Sequence, residues 1–264
     1  MKELICPVCS SGLFYERSSL RCRNNHCFDI ASEGYVNLLT GSKSGSQIGD
    51  SKQMARSRRA FLSKGWFEPL AEALYNELKG ESSPTVADIC CGEGYYSSYL
   101  KARIDGDYYG FDISKEMIRL AAKRKSGVTY FVANMTSIPL KSNCADFAIH
   151  LFAPFYESEF SRILKPGGQL ISVIPGREHL YSLKEAVYDK PYYNDESAPE
   201  VKELRLCRQV RVKNTVCLES SDDIQALFSM TPYYYRTGEE NKKRLLSLKR
   251  LQTQTDFILN IYQK

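Results

Sequence analysis

Four metal-type ligands stand within the first 26 residues, in the order Cys6-x2-Cys9-x12-Cys22-x3-His26. A Cys-x-x-Cys turn brings two sulfurs onto one cation, and a returning hairpin supplies a third thiolate and an imidazole. Zinc takes such a set as a closed tetrahedron with no position left for a substrate. The expected role is therefore a folded clamp or recognition knob, not a reaction centre. Unliganded reduced thiols or a disulfide are the plain alternatives, and Cys27 competes with His26 as fourth ligand. A second group lies at Asp88-Ile-Cys-Cys-Gly92-Glu93-Gly94, where a carboxylate ends an apolar run and two glycines follow. A turn without β-carbons lets backbone lie against a ligand at the positive start of a helix. Asp112 follows Asp88 by 24 residues, the distance at which nucleotide-binding sheets hold ribose hydroxyls. Glycines serving only tight packing, with Asp112 as a helix cap, are the bland reading of the same residues.

These groups need elements to hold them. Thr85–Cys90, Asp107–Asp112, Val128–Ala133, Ala145–Leu151 and Gln169–Ile174 read as short apolar strands. Amphipathic stretches near Tyr95–Ala102, Ser114–Arg124 and Glu157–Leu164 fall between them, which predicts an α/β doubly wound parallel sheet. Ahead of it, Asp50 or Ser51 caps a helix running towards Lys64, and Leu70, Leu74 and Leu78 mark a second helix over Glu68–Lys79. The tail adds strands near Leu206–Leu218 and Asp256–Tyr262, with helical signal near Asp222–Ser229 and Lys242–Leu251. Thr40–Gln47 is rich in Gly and Ser and reads as a connector. The expected division is a zinc-binding module over 1–39, linker and helices over 40–80, and the sheet domain over 81–264.

Composition sets the class. The chain has 264 residues and nine cysteines, with a net charge of +5. No apolar run approaches the roughly 18 residues that cross a bilayer, so no membrane association is expected, and MKELICPVC lacks a signal-peptide core. Scattered reduced thiols point to the cytoplasm, and the modest positive charge permits an acidic partner such as RNA.

Asp-x-x-x-Gly-x-Gly at 88–94, with Ala133-Asn134-Met135 and Leu164-Lys-Pro-Gly-Gly168, resembles the motifs of class I (Rossmann-like) S-adenosylmethionine-dependent methyltransferases. The resemblance places Gly92 and Gly94 by the methionine part of the cofactor, Glu93 against the cofactor, Asp112 on its ribose and Asn134 at its adenine, and makes Asp88 a further cofactor-binding candidate. Cys90 departs from the pattern, standing where the first motif glycine often sits. Adding Cys22–His26 and Phe28–Leu39 narrows the likeness, as do Gly49–Lys52, Ala55–Phe61, Cys91–Tyr96, Pro175–Leu180, Met230–Pro232 and Gln254–Phe257. Together they resemble the RlmA family of 23S rRNA guanine-N1 methyltransferases across almost the whole chain. That family implies a cofactor contact for His179, and for Phe67 where the family usually has tyrosine. It also implies S-adenosylmethionine and zinc as cofactors, 23S rRNA as partner, and a homodimer whose two knuckles flank an RNA cleft.

Guanine N1 lies on the Watson–Crick edge, so the target must be a loop base or a flipped one, stacked on an aromatic. Phe152 and Phe155, after the fourth strand, are favoured over Tyr95, Tyr96 and Tyr156. Lys43, Lys52, Arg56, Arg58 and Arg59, with Arg17, Arg21 and Arg23, are candidate phosphate contacts. Lys242, Lys243, Arg244, Lys249 and Arg250 read as the exposed side of a late helix. The catalytic base is left open; Asp146 and His150 are weighed for it and ranked low. A small-molecule methyltransferase with a structural zinc site, or a zinc-containing regulatory binding protein, are the alternatives to the rRNA reading.

Overall fold

The computed structural model describes residues 2–40 and 51–264. Most of the Gly/Ser connector, with Lys43 and Asp50, lies outside them. Three short strands, β1 (Leu13–Glu16), β2 (Ser19–Cys22) and β3 (Cys27–Asp29), form an antiparallel sheet around the ligand turns. β4 (Val36–Asn37) then joins the main sheet as its edge, parallel to β7 (Thr129–Val132). Helix α1 (Lys52–Leu62) is capped by Ser51, whose hydroxyl accepts from the Met54 N–H at 3.3 Å. In α2 (Glu68–Leu78), Leu70, Leu74 and Leu78 are all buried, as their spacing requires.

Alternation follows: β5 (Thr85–Ile89), α3 (Tyr95–Lys101), β6 (Asp107–Asp112), α4 (Lys115–Ala122), β7, β8 (Ala145–Leu151), α5 (Glu157–Ile163) and β9 (Leu164–Pro175). The remainder is α6 (Tyr181–Val187), β10 (Arg205–Leu218), α7 (Ser221–Ser229), α8 (Tyr233–Arg236), α9 (Glu239–Leu246) and β11 (Leu251–Gln263). The strand order β10-β11-β9-β8-β5-β6-β7-β4 makes this a class I methyltransferase sheet, with β5 to β9 parallel and β11 antiparallel to β9. From β5 the chain winds outward through β6 and β7, then returns to the other side as β8 and β9. The reversal opens a crevice beyond the carboxyl ends of β5 and β8, where open sheets bind ligands.

Two expectations shift. The late helix stops at Leu246, and Lys249 and Arg250 lie in the loop before β11 rather than on a helix. β11 begins at Leu251, five residues before the expected start at Asp256. Its first half alternates exposed Gln252 and Gln254 with buried Thr253 and Thr255, a two-residue period without hydrophobicity to announce it. That half pairs only with β10, so the ladder projects past the end of β9.

Between β7 and β8 the chain forms no helix, and the ligand module covers that part of the sheet. Ile5 N–H donates to Pro139 O, and Lys141 N–H to Glu3 O, both at 3.0 Å. Leu4, Leu13, Leu20 and Cys22 share one buried cluster with Phe111, Phe131, Ile138 and Leu140. The module is packed into the same core as the sheet.

Candidate functional site

In the amino-terminal module each ligand turn closes on itself. Ser10 N–H donates to Cys6 O and Asn25 N–H to Cys22 O, at 2.8 and 2.9 Å, and both residues take the left-handed conformation (φ 58° and 64°). The four ligand atoms of Cys6, Cys9, Cys22 and His26 gather within 4.8 Å of one another. Cys6 and Cys22 Sγ lie 3.5 and 3.4 Å from His26 Nδ1, and Cys9 Sγ lies 3.6 Å from Cys22 Sγ. A tetrahedral zinc with bonds of about 2.3 Å to sulfur and 2.0–2.1 Å to nitrogen spaces its ligands by roughly 3.5–3.8 Å. The donor set and its dimensions both fit zinc. Cys27 is exposed and outside the group, which gives the fourth place to His26.

At the sheet's crevice, the turn after β5 is built from left-handed residues: Cys90, Gly92 and Gly94 have φ of 57°, 55° and 77°. A β-carbon on Gly94 would stand 2.4 Å from the Tyr130 hydroxyl, so glycine is compulsory there. Cys90 carries a side chain in this region, which costs about 1–2 kcal/mol. Asp112, at the end of β6, accepts from Gly92 N–H at 3.0 Å and from Ser114 N–H at 2.8 Å. One carboxylate thus fixes the glycine turn and the entry to α4 together. Asn134 Oδ1 accepts from Thr136 N–H and holds its own turn at the end of β7.

Asp88 is the anomaly. It is 1% exposed, and no hydrogen bond of good geometry reaches either carboxylate oxygen, although the Ser97 hydroxyl and N–H lie close by. Burial pushes its carboxyl up to about 7; Ser97 at the start of α3 partly offsets this, and Asp112 adds to it. A buried carboxylate so weakly matched by donors is the complement of a cationic ligand group. The ammonium of the methionine part of S-adenosylmethionine supplies one, so the residues fit that cofactor.

Glu93 behaves differently from its neighbours. Its carboxylate is fully buried and bound by Arg124, with Nε to Oε2 at 2.9 Å and Nη2 to Oε1 at 2.6 Å. That side chain is committed to Arg124 in the turn after α4, so any ligand contact by Glu93 would run through its backbone. Arg58 and Arg59 are half-buried: Arg59 donates to Leu120 O at 3.1 Å, and Arg58 Nη1 lies 3.6 Å from where a Gly92 β-carbon would stand. Only Lys52 and Arg56 of that helix present an exposed cationic face.

On the other side of the crevice, Phe67 and His179 come together although 112 positions separate them in the chain. Phe67 packs edge-on to Phe257 at 5.1 Å, and Phe152 stacks on His179 at 6.3 Å with 20° between planes. Burial lowers the His179 imidazole to about 3. Phe152 follows β8 directly, is 46% exposed and has φ of 56°, strain of the kind that gathers at functional sites. Phe155 instead packs inward on Phe160 and Tyr262.

Neither weighed base candidate is free for the task. Asp146 Oδ2 accepts from Thr85 N–H and Oδ1 from Lys165 Nζ, at the opposite end of β8 from the crevice. His150 lies between Ser172 Oγ at 3.2 Å and Pro154 O at 3.1 Å, and burial lowers it to about 4. Sequence reasoning missed Arg124 and the Arg211–Asp256 pair that supports the His179 turn. Nothing local marks them, because their partners lie 31 and 45 positions away.

Residues 4–46 match the family described as RlmA, N-terminal, and residues 86–168 match a methyltransferase domain. A Streptomyces fradiae protein named 23S rRNA (guanine(748)-N(1))-methyltransferase is 35% identical over 193 residues, covering 71% of this chain and 68% of its own. A Bacillus subtilis strain 168 protein, provisionally named a 23S rRNA (guanine-N(1)-)-methyltransferase, is 31% identical over 277 aligned positions, covering 98% of this chain and 96% of its own.

Proposed function

The chain belongs to the 23S rRNA (guanine-N1)-methyltransferase family, and from that premise we propose that it methylates N1 of a guanine in a 23S rRNA hairpin, using S-adenosylmethionine. The observation that carries the reading is the union, in one chain and one core, of an RlmA-type metal module with a methyltransferase sheet. Neither a small-molecule enzyme nor a regulatory module accounts for likeness across both parts.

Zinc would be held by Cys6, Cys9, Cys22 and His26, where it fixes the hairpin that carries exposed Phe14 and Tyr15. S-adenosylmethionine, when bound, supplies a methyl group already activated on sulfur. The chain's own work is placement, worth as much as ~7–11 kcal/mol in well-oriented reactions. Asp88 would receive the ammonium, the Gly92–Gly94 backbone would hold the methionine part, Asp112 the ribose and Asn134 the adenine edge. Phe67 and His179 wall the other side, and Phe152 stacks on the target base where β8 ends. Asp146 and His150 do not take the N1 proton: Asp146 stands at the far end of β8 from the crevice, and the buried His150 ring is held between Ser172 and Pro154. A module over 1–39, connecting helices over 40–80 and a catalytic domain over 81–264 remain the division we adopt. A cytoplasmic site of action and a homodimer flanking the RNA belong to the same proposal; no helix among the described residues is long and apolar enough to cross a membrane.

The test is methylation of a 23S rRNA hairpin fragment with labelled cofactor, mapped by reverse transcription. N1-methylguanine blocks pairing, so a stop at one guanine is expected. Label without a stop would place the methyl on another atom and overturn the N1 assignment.

A further inference from the structure

Beside the His179 turn lies a cavity of about 340 Å³, at the small end of ligand pockets. One wall is the ring pair Tyr181–Tyr193, stacked at 4.6 Å with 14° between planes. The exposed guanidinium of Arg177 sits 4.5 Å from the Tyr193 ring centre. The facing wall is the part of β11 that projects beyond β9, with Gln252 and Gln254 exposed. Between them Thr253 also lines the cavity; it is 1% exposed, and its hydroxyl has no hydrogen-bond partner. Nothing in the proposed methyl-transfer site uses these groups.

We infer that this cavity is a second nucleobase subsite, which takes a base next to the target guanine; the inference rests on the rRNA reading above. Tyr181 covers one face of Tyr193 and the exposed Arg177 guanidinium the other, so a base stacks here by taking Arg177's place on the ring, which leaves the guanidinium free to meet the RNA backbone. Two primary amides and an orphaned hydroxyl provide the donors and acceptors that a base edge needs. Glu178, also at the cavity, is paired with Lys213 at 3.0 Å, so its charge does not stand alone against the RNA.

The wall is built before any ligand arrives. Lys184, fully buried, donates from Nζ to Tyr192 O at 2.9 Å and to Asn194 Oδ1 at 2.6 Å, on either side of Tyr193. Asn194 Nδ2 donates to Gly176 O at 2.8 Å, and Leu180 N–H to Gln254 O at 2.8 Å. The turn that presents His179 to Phe152 therefore also fixes the tyrosine wall. Two successive bases could be seated on its two sides.

The test uses the full chain, the 23S rRNA hairpin fragment, and fragments with 2-aminopurine placed singly beside the methylated guanine. Wild-type protein is expected to quench 2-aminopurine at one flanking position, and Tyr193→Ala to abolish that quenching. The same variant should raise KM for the fragment roughly ten- to hundredfold, with kcat and cofactor affinity retained. Tyr193→Trp, which keeps a ring, should restore KM. An unchanged KM and unchanged quenching in Tyr193→Ala, with wild-type protein methylating normally, would overturn the subsite alone. No methylation by wild-type protein would overturn the rRNA reading and the subsite with it.

Discussion

The backbone N–H of Asp256 donates to Nδ1 of His179 across 3.2 Å, which leaves Nε2 as the place for the ring's proton. The imidazole is thereby set as a neutral donor among Phe67, Phe152 and Phe257. Asp256 is itself buried and held by Arg211 at 2.6 and 2.8 Å. The backbone N–H of buried Asp256, whose carboxylate is paired with Arg211 of β10, thus fixes the tautomer of a residue 77 positions earlier.

This bears on pH. His179 and His150 have folded values of about 3 and 4, below the ordinary 6.5. Their contribution to stability is present above 6.5 and is lost as pH falls towards those values. Neither ring changes charge in the folded enzyme between pH 5 and 8. Asp88 does, with its carboxyl near 7, and only its ionised form pairs with an ammonium. Cofactor affinity is predicted to rise as pH increases through 7. Asp88→Asn should flatten that profile, weaken binding by about 1.5–3 kcal/mol, and stabilise the ligand-free protein above pH 7. Calorimetric titration from pH 5.5 to 8 checks this; a sloped profile in the variant would assign the titration elsewhere.

Asp112→Ala removes the acceptor for both Gly92 N–H and Ser114 N–H. We expect cofactor affinity to fall at least tenfold, about 1.4 kcal/mol or more, with bound zinc unchanged. Equilibrium dialysis for cofactor and metal analysis on the same sample test the pair of outcomes.

Zinc removal should act on the whole molecule. Because Leu4, Leu20 and Cys22 share a core with Phe111 and Phe131, chelation or Cys22→Ser is expected to lower the midpoint of a single cooperative unfolding transition. Two separated transitions, with the sheet's midpoint unmoved, would show that the module and the sheet unfold independently.

Arg124→Met would leave Glu93 charged and buried without its partner. Loss of one member of such a pair costs about 3–5 kcal/mol, read here by urea unfolding. Glu93→Gln added to that variant should recover part of the loss. No recovery would mean that Arg124 acts through packing.

The metal ligands and the glycine turn were legible because each is a local pattern. Cys6, Cys9, Cys22 and His26 depend on short turns, and Asp88 to Asp112 span one strand–helix–strand unit whose geometry follows from hydrophobic period. The α/β alternation was readable for the same reason. The early start of β11 was not, since Thr and Gln alternating at Gln252–Thr255 signal a strand only when β10 lies beside them. The sequence by itself therefore determined the ligand set, the nucleotide-type turn and the strand–helix alternation between Thr85 and Ile174, but not β4, α6 or α8. Tertiary structure alone decided that Asp88 is buried with no well-formed hydrogen bond, that Glu93 turns to Arg124, and that Phe67, Phe152 and His179 share one wall. Those outcomes depend on which distant groups reach the same buried space, where an unmatched charge or an unfilled volume is costly and cannot be read from neighbours in the chain.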